Sequence, residues 1–544
     1  MERIADWSMK RRARSASGGA GKRGEWTFVV AALIGLGAIL YFYGFRAWRS
    51  AVVDEDAYIS FRYARNLLEG HGLVFNPDWQ PVEGITNLLW TLCLAAISWL
   101  GADLTSAALV LGVVCGGLTL IVAYHWCRTE LSELPISRGA AYVLALAAPL
   151  LIALAPGFAF YAGSGLEVAM FALLLVAGLY SLGRAESARF AAAGSLLLGA
   201  AAITRPEGAL VLAVASGVFV LRCVLERPAG TSLLRRAGVA GVAGVLPGAL
   251  VVGVTTLWRI LYYGSPIPNT ASAKAGGLEV MERWGVPYLM DALQANWIHV
   301  VWLLALCGAL AHRRLLVHGL AVLLILPLWC AYVVYVGGDY MPFYRLLVPI
   351  LPAAYVLAVA GIAGICTAIP GFAEKVSPLA GAAVIGVPLA GLVFLFASQV
   401  PEQLEAEQAR EQNVREDVQN WRALGNWFDE NRPNAVVARN AVGSFGYHSE
   451  VNTVDMLGLN NEYIAQHGTK DPTNLPGHQT GDGPYVLSRE PDYIMLSDAE
   501  PEFRFVSDRE LVNSTNLYEE YDRITVKLDN GNEASMLRRE EDAS

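Results

Sequence analysis

Long apolar runs dominate the chain, near residues 26–46, 85–101, 105–126, 140–160, 166–183, 190–204, 208–226, 237–260, 296–312, 315–336, 346–366 and 378–398. Runs of about 17–25 such residues match the hydrocarbon thickness of a bilayer, so the pattern predicts a polytopic α-helical membrane protein. Between the first two runs the period changes. Ala57, Phe61, Ala64 and Leu68 form an apolar stripe at i, i+4, i+7 and i+11, while Tyr58, Arg62, Arg65 and Glu69 repeat that spacing on a polar side. This predicts an amphipathic helix, ended by Gly70 and Gly72. One of Asp54, Glu55 or Asp56 is expected to cap it. The run at 85–101 is the shortest of the early ones, and Asn87, Thr91 and Ser98 share one of its faces. It reads as an interfacial or re-entrant helix.

After residue 400 the pattern changes again. Residues 401–432 are charged and helical in period, with Trp421, Leu424, Trp427 and Phe428 on one face. Val436-Val437-Ala438 reads as a buried strand, 441–447 as a turn and strand, and 492–496 as another strand. Three parts follow: a basic tail over 1–25, a membrane domain over 26–399 whose first outer loop spans about 47–104, and a small α/β domain over 400–544.

Charge orients these parts. The tail carries Lys10, Arg11, Arg12, Arg14, Lys22 and Arg23, and basic loops occur at Arg184–Arg189, Arg227–Arg236 and His312–Arg314. Cytoplasmic loops are enriched in Lys and Arg. With 85–101 not crossing, the expectation is about 11 transmembrane helices in a bacterial plasma membrane, N-terminus cytoplasmic and C-terminal domain extracytoplasmic. Every polar interruption of the membrane part then falls on the outer face. A composition 54% hydrophobic and only 16% charged excludes an ordinary soluble protein. A net charge of -9, with acids concentrated after residue 400, gives no reason to expect a nucleic-acid partner. The seven cysteines all lie in the hydrophobic part without metal-ligand spacing, which predicts packing roles and no disulfide framework.

Five interruptions carry candidate chemistry. Asp54-Glu55-Asp56 stacks three carboxylates at a membrane surface, where ionisable groups are costly and usually paired. Arg205 and Glu207 flank Pro206 between two apolar runs, and a guanidinium there offers a planar fork to phosphate or carboxylate. Asn269 and Lys274 follow a proline-stiffened loop beginning at Tyr262. Asp339, Tyr344 and Arg345 bracket an aromatic stretch, and Glu83 and Asn87 are polar where apolar residues would pack better. Glu167, by contrast, reads as a helix-start residue. No Walker-type loop, zinc-spaced His-Glu pair or nucleophile elbow is present, so a nucleotide is not expected as the direct donor.

The order of motifs is familiar. Asp-Ala-Tyr-Ile at 56–59, Phe-Arg-Tyr-Ala-Arg-Asn at 61–66, Gly-His-Gly-Leu-Val-Phe-Asn-Pro at 70–77 and Val-Glu-Gly-Ile-Thr-Asn at 82–87 resemble GT-C-fold glycosyltransferases that use polyprenyl-phosphate sugars. Within that group the chain looks most like the terminal arabinofuranosyltransferases of mycobacteria. Thr-Arg-Pro-Glu-Gly at 204–208, the 263–270 loop with its lysine, Gly-Gly-Asp-Tyr-Met at 337–341 and Asp-Met-Leu-Gly-Leu at 455–459 match as well. The resemblance implies a GT-C-like membrane enzyme moving a sugar, expected to be arabinofuranose, from a polyprenyl phosphate to a cell-envelope glycan at the outer face.

Where that group carries Asp-Asp-Ala-Tyr, this chain has Glu55-Asp56-Ala57-Tyr58. Asp56 is thus the expected catalytic acid, helped by Glu55, acting on the acceptor hydroxyl directly or through a divalent metal ion. Arg205, Lys274 and Arg345 are expected to hold the donor phosphate. Asp54, Tyr58, Arg62, Glu83, Asn87, Glu207, Asn269, Asp339 and Tyr344 are expected to line the substrates. Alternatives are the same chemistry with another sugar or a protein or lipid acceptor, or a lipid or glycan transporter. A transporter, however, places charges near mid-membrane.

Overall fold

The computed structural model describes residues 20–226, 233–274, 276–372, 376–497 and 505–540. The first nineteen residues, with most of the expected basic tail, lie outside them. Among the described residues, six helices are long and apolar enough to cross a membrane. Counting Leu278–Ala295 and Ile298–Ala311, bent by 67°, as one span makes seven. Five shorter apolar helices accompany them, so the expected eleven crossings require four of these to cross as well. The fifth, Leu88–Trp99, has 12 residues. At 1.5 Å per residue it is roughly 18 Å long, too short for a hydrocarbon core of about 30 Å. Its length agrees with the interfacial or re-entrant reading.

Small residues let the helices close on one another, as in membrane bundles generally. Ile298–Ala311 meets Leu351–Thr367 at Gly308 and Gly361, where a Cβ on Gly308 would lie 2.2 Å from the Gly361 Cα. Several apolar runs are more broken than their periodicity suggests. The run at 140–160 becomes Arg138–Leu144, Ala147–Leu154 and the five-residue Phe158–Ala162. The run at 237–260 becomes Leu233–Gly244 and Leu246–Tyr263, with Pro247 in the first turn of the second helix, where it lacks no needed donor. All seven cysteines are free thiols.

The last part begins with a 32-residue helix, Val400–Asn431, and continues into a five-stranded sheet ordered β2-β1-β5-β7-β6. Here β1 is Val436–Arg439, β2 Asn452–Asp455, β5 Tyr493–Met495, β6 Tyr521–Lys527 and β7 Glu533–Arg539. Strand β1 pairs in parallel with β2 and β5, and β7 runs antiparallel to β5 and β6. The short β3 (Thr469–Lys470) and β4 (Thr480–Gly481) form a separate ladder. The strands expected at 436–438 and 492–496 are present. The one expected within 441–447 is instead a short helix, Gly443–Tyr447. Its glycines serve docking, since a Cβ on Gly443 would fall 2.2 Å from the Glu55 carbonyl oxygen.

The amphipathic helix Glu55–Leu68 lies between the membrane bundle and this outer unit, and that changes the meaning of its polar side. Ala57, Phe61 and Ala64 are buried as expected, whereas Leu68 is exposed. Tyr58 and Arg62 are buried too, because the outer unit covers them. Arg62 donates to the carbonyls of Phe75 (2.7 Å), Gly446 (2.5 Å) and Val451 (3.0 Å), stapling the first loop to the outer unit. Asn76 adds a reciprocal pair with the Thr453 backbone, at 2.9 and 3.0 Å. A buried ion pair, Arg46 with Glu407 at 2.7 Å, ties the first long helix to Val400–Asn431. Truncating Arg62 leaves the Gly446 and Val451 carbonyls without their donor, while Phe75 keeps the Asn66 amide at 3.0 Å. Arg62→Ala is therefore expected to cost roughly 3 kcal/mol of stability. Arg62→Lys should not restore it, because an ammonium lacks the planar fork. Thermal melts of the detergent-solubilised variants test this; a wild-type melting temperature for Arg62→Ala contradicts the staple.

Candidate functional site

Three adjacent carboxylates cannot remain charged together beside a low-dielectric phase, and the fold gives each a different fate. Asp54 is the N-cap, accepting from the Asp56 amide at 3.4 Å; its side chain is only 5% exposed and faces Arg410 at 3.4 Å. Burial, then Asp56, raise its pKa, with Arg410 opposing. Glu55 turns toward the outer unit and accepts from the Gly443 amide. Withdrawal from water, with Asp56 adding, pushes its pKa up to about 8. Asp56 stays partly accessible, its side chain 29% exposed. It accepts from the Tyr340 hydroxyl at 3.4 Å and meets Arg345 Nη1 at 3.4 Å.

Arg345 is aimed by its other nitrogens. Nε and Nη2 fork onto Asp339 at 2.6 and 3.1 Å, leaving Nη1 for Asp56. The loop before it is strained, with Phe343 and Tyr344 both left-handed (φ 57° and 56°). Non-glycine residues in this region cost about 1–3 kcal/mol each and persist only when packing enforces them. Packing does so here. Phe343 sits edge-on to Phe160 at 5.0 Å, Tyr344 to Tyr288 at 5.7 Å, and Tyr161 donates to the Pro342 carbonyl.

Arg205 occupies the break between Ala188–Thr204 and Glu207–Leu225, as its Thr-Arg-Pro-Glu-Gly setting suggests. Its fork is already filled, Nη1 by Glu167 at 2.6 Å and Nη2 by Glu207 at 2.9 Å. A direct grip on phosphate through that fork, as the sequence suggests, would break two buried ion pairs. Glu167, read from sequence as a helix-start residue, is a central member of the network, for it also accepts from Asn87 at 2.9 Å. Asn87 in turn accepts from Ser60 at 3.0 Å.

Lys274 differs from these paired groups. Its residue is exposed, and its ammonium has no hydrogen-bond or ion-pair partner among the described residues. Asp339, Arg345, Arg205 and Glu207 all lie within its electrostatic reach. The outer unit holds the Lys274 loop: Lys470 Nζ donates to the Ser272 carbonyl at 2.8 Å, and Thr480 donates to that of Ala273.

Asp56, Arg345, Asp339, Lys274, Arg205, Glu207 and Asn87 thus belong to one polar neighbourhood at the end of the bundle capped by the outer unit. Other expected residues sit beside it with structural partners. Glu83 is paired with Arg259 at 2.9 Å, Asn269 donates to the Gly458 and Leu459 carbonyls at 2.8 and 2.9 Å, Arg62 staples, and Tyr58 stacks in an aromatic cluster. Tyr340 and Arg410 are additions; each is one among many similar residues, and no spacing marks them. A second charged cluster, Arg184 with Glu130, Glu133 and His318, lies at the far end of Val168–Gly183, the helix that starts at Glu167. Among the described residues, no three His, Cys, Asp or Glu side chains converge as metal ligands. The three adjacent acids diverge to separate partners.

Comparison with known proteins adds the following. Residues 406–536 match a family described as a domain of unknown function, DUF8728. A terminal beta-(1->2)-arabinofuranosyltransferase of Mycobacterium tuberculosis is 30% identical over 247 residues, which cover 44% of this chain and 37% of that protein. The protein of the same name from Corynebacterium glutamicum is 27% identical over 395 residues, 62% of this chain and 52% of that one. The matches thus span about half, or less, of these relatives' lengths. The crystal structure of ArnT from Cupriavidus metallidurans in the apo state superposes with a TM-score of 0.50 at 14% identity, covering 95% of this chain and 98% of that one. This likeness shows the fold: the GT-C-like polytopic helical architecture expected from the motifs is the one found.

Glu55 supplies a test of the electrostatics. An acid whose folded pKa lies above its unfolded value binds an extra proton when folded, so its contribution to stability falls as pH rises between the two values. Here that window runs from the ordinary glutamate range, about 4.5, to about 8. Glu55→Gln should flatten the decline in thermal stability across that window and leave the variant more stable than wild type above it. An unchanged pH profile of melting temperature would contradict the protonated state.

Proposed function

We propose that this protein is an integral-membrane glycosyltransferase taking a sugar, arabinofuranose in the reading its relatives support best, from a polyprenyl phosphate and adding it to a cell-envelope glycan on the outer face. One observation carries this: a partly accessible carboxylate, Asp56, meets an aimed guanidinium, Arg345, which shares its surroundings with Lys274, an ammonium unpartnered among the described residues. In this reading the membrane domain spans 26–399 and the outer domain 400–544. The N-terminus is cytoplasmic, and the polar cluster capped by the outer domain faces out of the cell. The basic cluster around Arg184 then lies on the cytoplasmic side, in keeping with the positive-inside rule. The names of the two arabinofuranosyltransferases it is similar to support the sugar; the acceptor and the lipid carrier rest on the motif resemblance.

Breaking the bond between sugar and phosphate leaves a phosphomonoester anion, and fixed cations stabilise that developing charge. Lys274 is free to meet it, and the exposed side of Arg345 adjoins it. Arg205, saturated by Glu167 and Glu207, acts through its field and as a brace. Asp56 takes the proton of the acceptor hydroxyl. The Tyr340 hydroxyl and Arg345 keep that carboxylate oriented. Glu55 stays protonated beside it and spares it a neighbouring negative charge. No step is routed through a metal ion.

Asp56→Asn should lower transfer from a polyprenyl-phosphate sugar to a defined oligosaccharide by about a hundredfold or more, the usual range for a lost general base, without loss of melting temperature. Lys274→Gln should weaken donor use while leaving acceptor KM unaffected. Wild-type turnover in Asp56→Asn rejects the assignment. A panel of polyprenyl-phosphate sugars separates arabinofuranose from other donors.

A further inference from the structure

A cleft of about 530 Å³ opens beside the amphipathic helix, where the bundle meets the outer unit. Arg65, Asp103, Arg422, Asp429, Tyr447 and His448 line it. None of them belongs to the charge network around Asp56. Tyr58, buried on the cleft side of the helix, has its ring 5.5 Å from that of Tyr447 and 5.4 Å from that of His448. Arg65 is nine residues along the helix from Asp56, roughly 14 Å at 1.5 Å per residue, and half a turn round it, so the cleft and Asp56 lie on opposite faces.

The lining describes its ligand. Two guanidiniums face two carboxylates, so the cleft favours neither an anion nor a cation. The Tyr447 and His448 rings, 5.0 Å apart, present apolar faces with polar edges. Several polar atoms are unused. The Arg422 guanidinium has no hydrogen bond or ion pair among the described residues, and Asp103 spends one oxygen on the Ser106 amide at 2.9 Å, leaving the other free. His448 Nε2 is buried without a partner. Burial first, then Arg422 and Arg65, lower the imidazole pKa to about 4, so the ring is neutral at physiological pH and one nitrogen accepts. Charge-balanced hydrogen-bonding forks beside aromatic faces suit a neutral polyhydroxylated ligand.

We infer that this cleft is a subsite for the non-reacting sugars of an oligosaccharide acceptor, gripping a part of the glycan remote from Asp56, across the helix from it. The inference rests on the transferase reading above for its acceptor. Binding energy from remote parts of a substrate supports chemistry at the reacting centre. The cleft thereby becomes the feature that makes longer acceptors better ones.

The test compares a synthetic arabinofuranosyl hexasaccharide with the disaccharide on the full-length detergent-solubilised protein. It measures both binding without donor and transfer with a polyprenyl-phosphate arabinofuranose. Wild type should bind the hexasaccharide more tightly than the disaccharide. Arg422→Gln, on an exposed side chain, should weaken hexasaccharide binding and raise its KM about tenfold, the effect of one lost charge-assisted hydrogen bond. Tyr447→Ala should act in the same direction, and the preference for length should disappear. Equal affinity for both saccharides in wild type overturns the subsite, as does unchanged hexasaccharide affinity in both variants. Displacement of the hexasaccharide by millimolar inorganic phosphate also overturns it, by marking an anion site. If wild type binds the hexasaccharide and Arg422→Gln does not, yet no polyprenyl donor supports transfer, the subsite stands and the transferase reading falls. If transfer proceeds with the same length preference in both variants, the reverse holds.

Discussion

The fork between Arg345 and Asp339 is the interaction around which the rest of this charged end of the bundle is arranged. A guanidinium held by two of its nitrogens has a fixed plane, so the third has a fixed direction. Here that direction is toward Asp56, across 289 positions of sequence. The strained backbone at Phe343 and Tyr344 makes sense as a consequence. The chain accepts two left-handed residues because Tyr288, Phe160 and Tyr161 hold them, and the guanidinium is thereby delivered to one place. Packing in the membrane part thus sets the electrostatics of the surface.

The same logic explains how several charges share a small volume next to a membrane. Each buried ion has a partner: Arg205 has Glu167 and Glu207, Asp54 has Arg410, and Glu83 has Arg259. Glu55, withdrawn from water beside Asp56, is pushed toward its protonated form instead. What remains open is a carboxylate and an ammonium. A site of this kind holds its polar groups before any ligand arrives, so little reorganisation accompanies the reaction.

The outer unit is part of this arrangement. Its contacts with the Lys274 loop, with Glu55 through Gly443 and with Arg62 through two carbonyls fix two separate segments of the membrane part, the loop and the amphipathic helix. One of its faces packs on the bundle and the other beneath the outer unit. Its N-terminus carries the acids and its later turns carry the aromatic cleft.

The sequence by itself determined the helical membrane class, the amphipathic helix with its acid cap, the break at Arg205-Pro206-Glu207, the change of architecture near residue 400 and two of the strands. These follow from periodicity, capping and proline geometry, which act within a few residues. It also marked Asp56, Lys274, Asp339 and Arg345, because an ionisable group interrupting an apolar run is costly enough to stand out. Only the tertiary structure decided which of three adjacent acids stays available, since that depends on Arg410, Gly443 and Arg345. It alone showed that the fork of Arg205 is filled, that Glu167 belongs to the charge network, and that the polar side of the first-loop helix is buried. Pairing between residues hundreds of positions apart leaves no local pattern. A charge reads the same in sequence whether its partner is a substrate or another side chain.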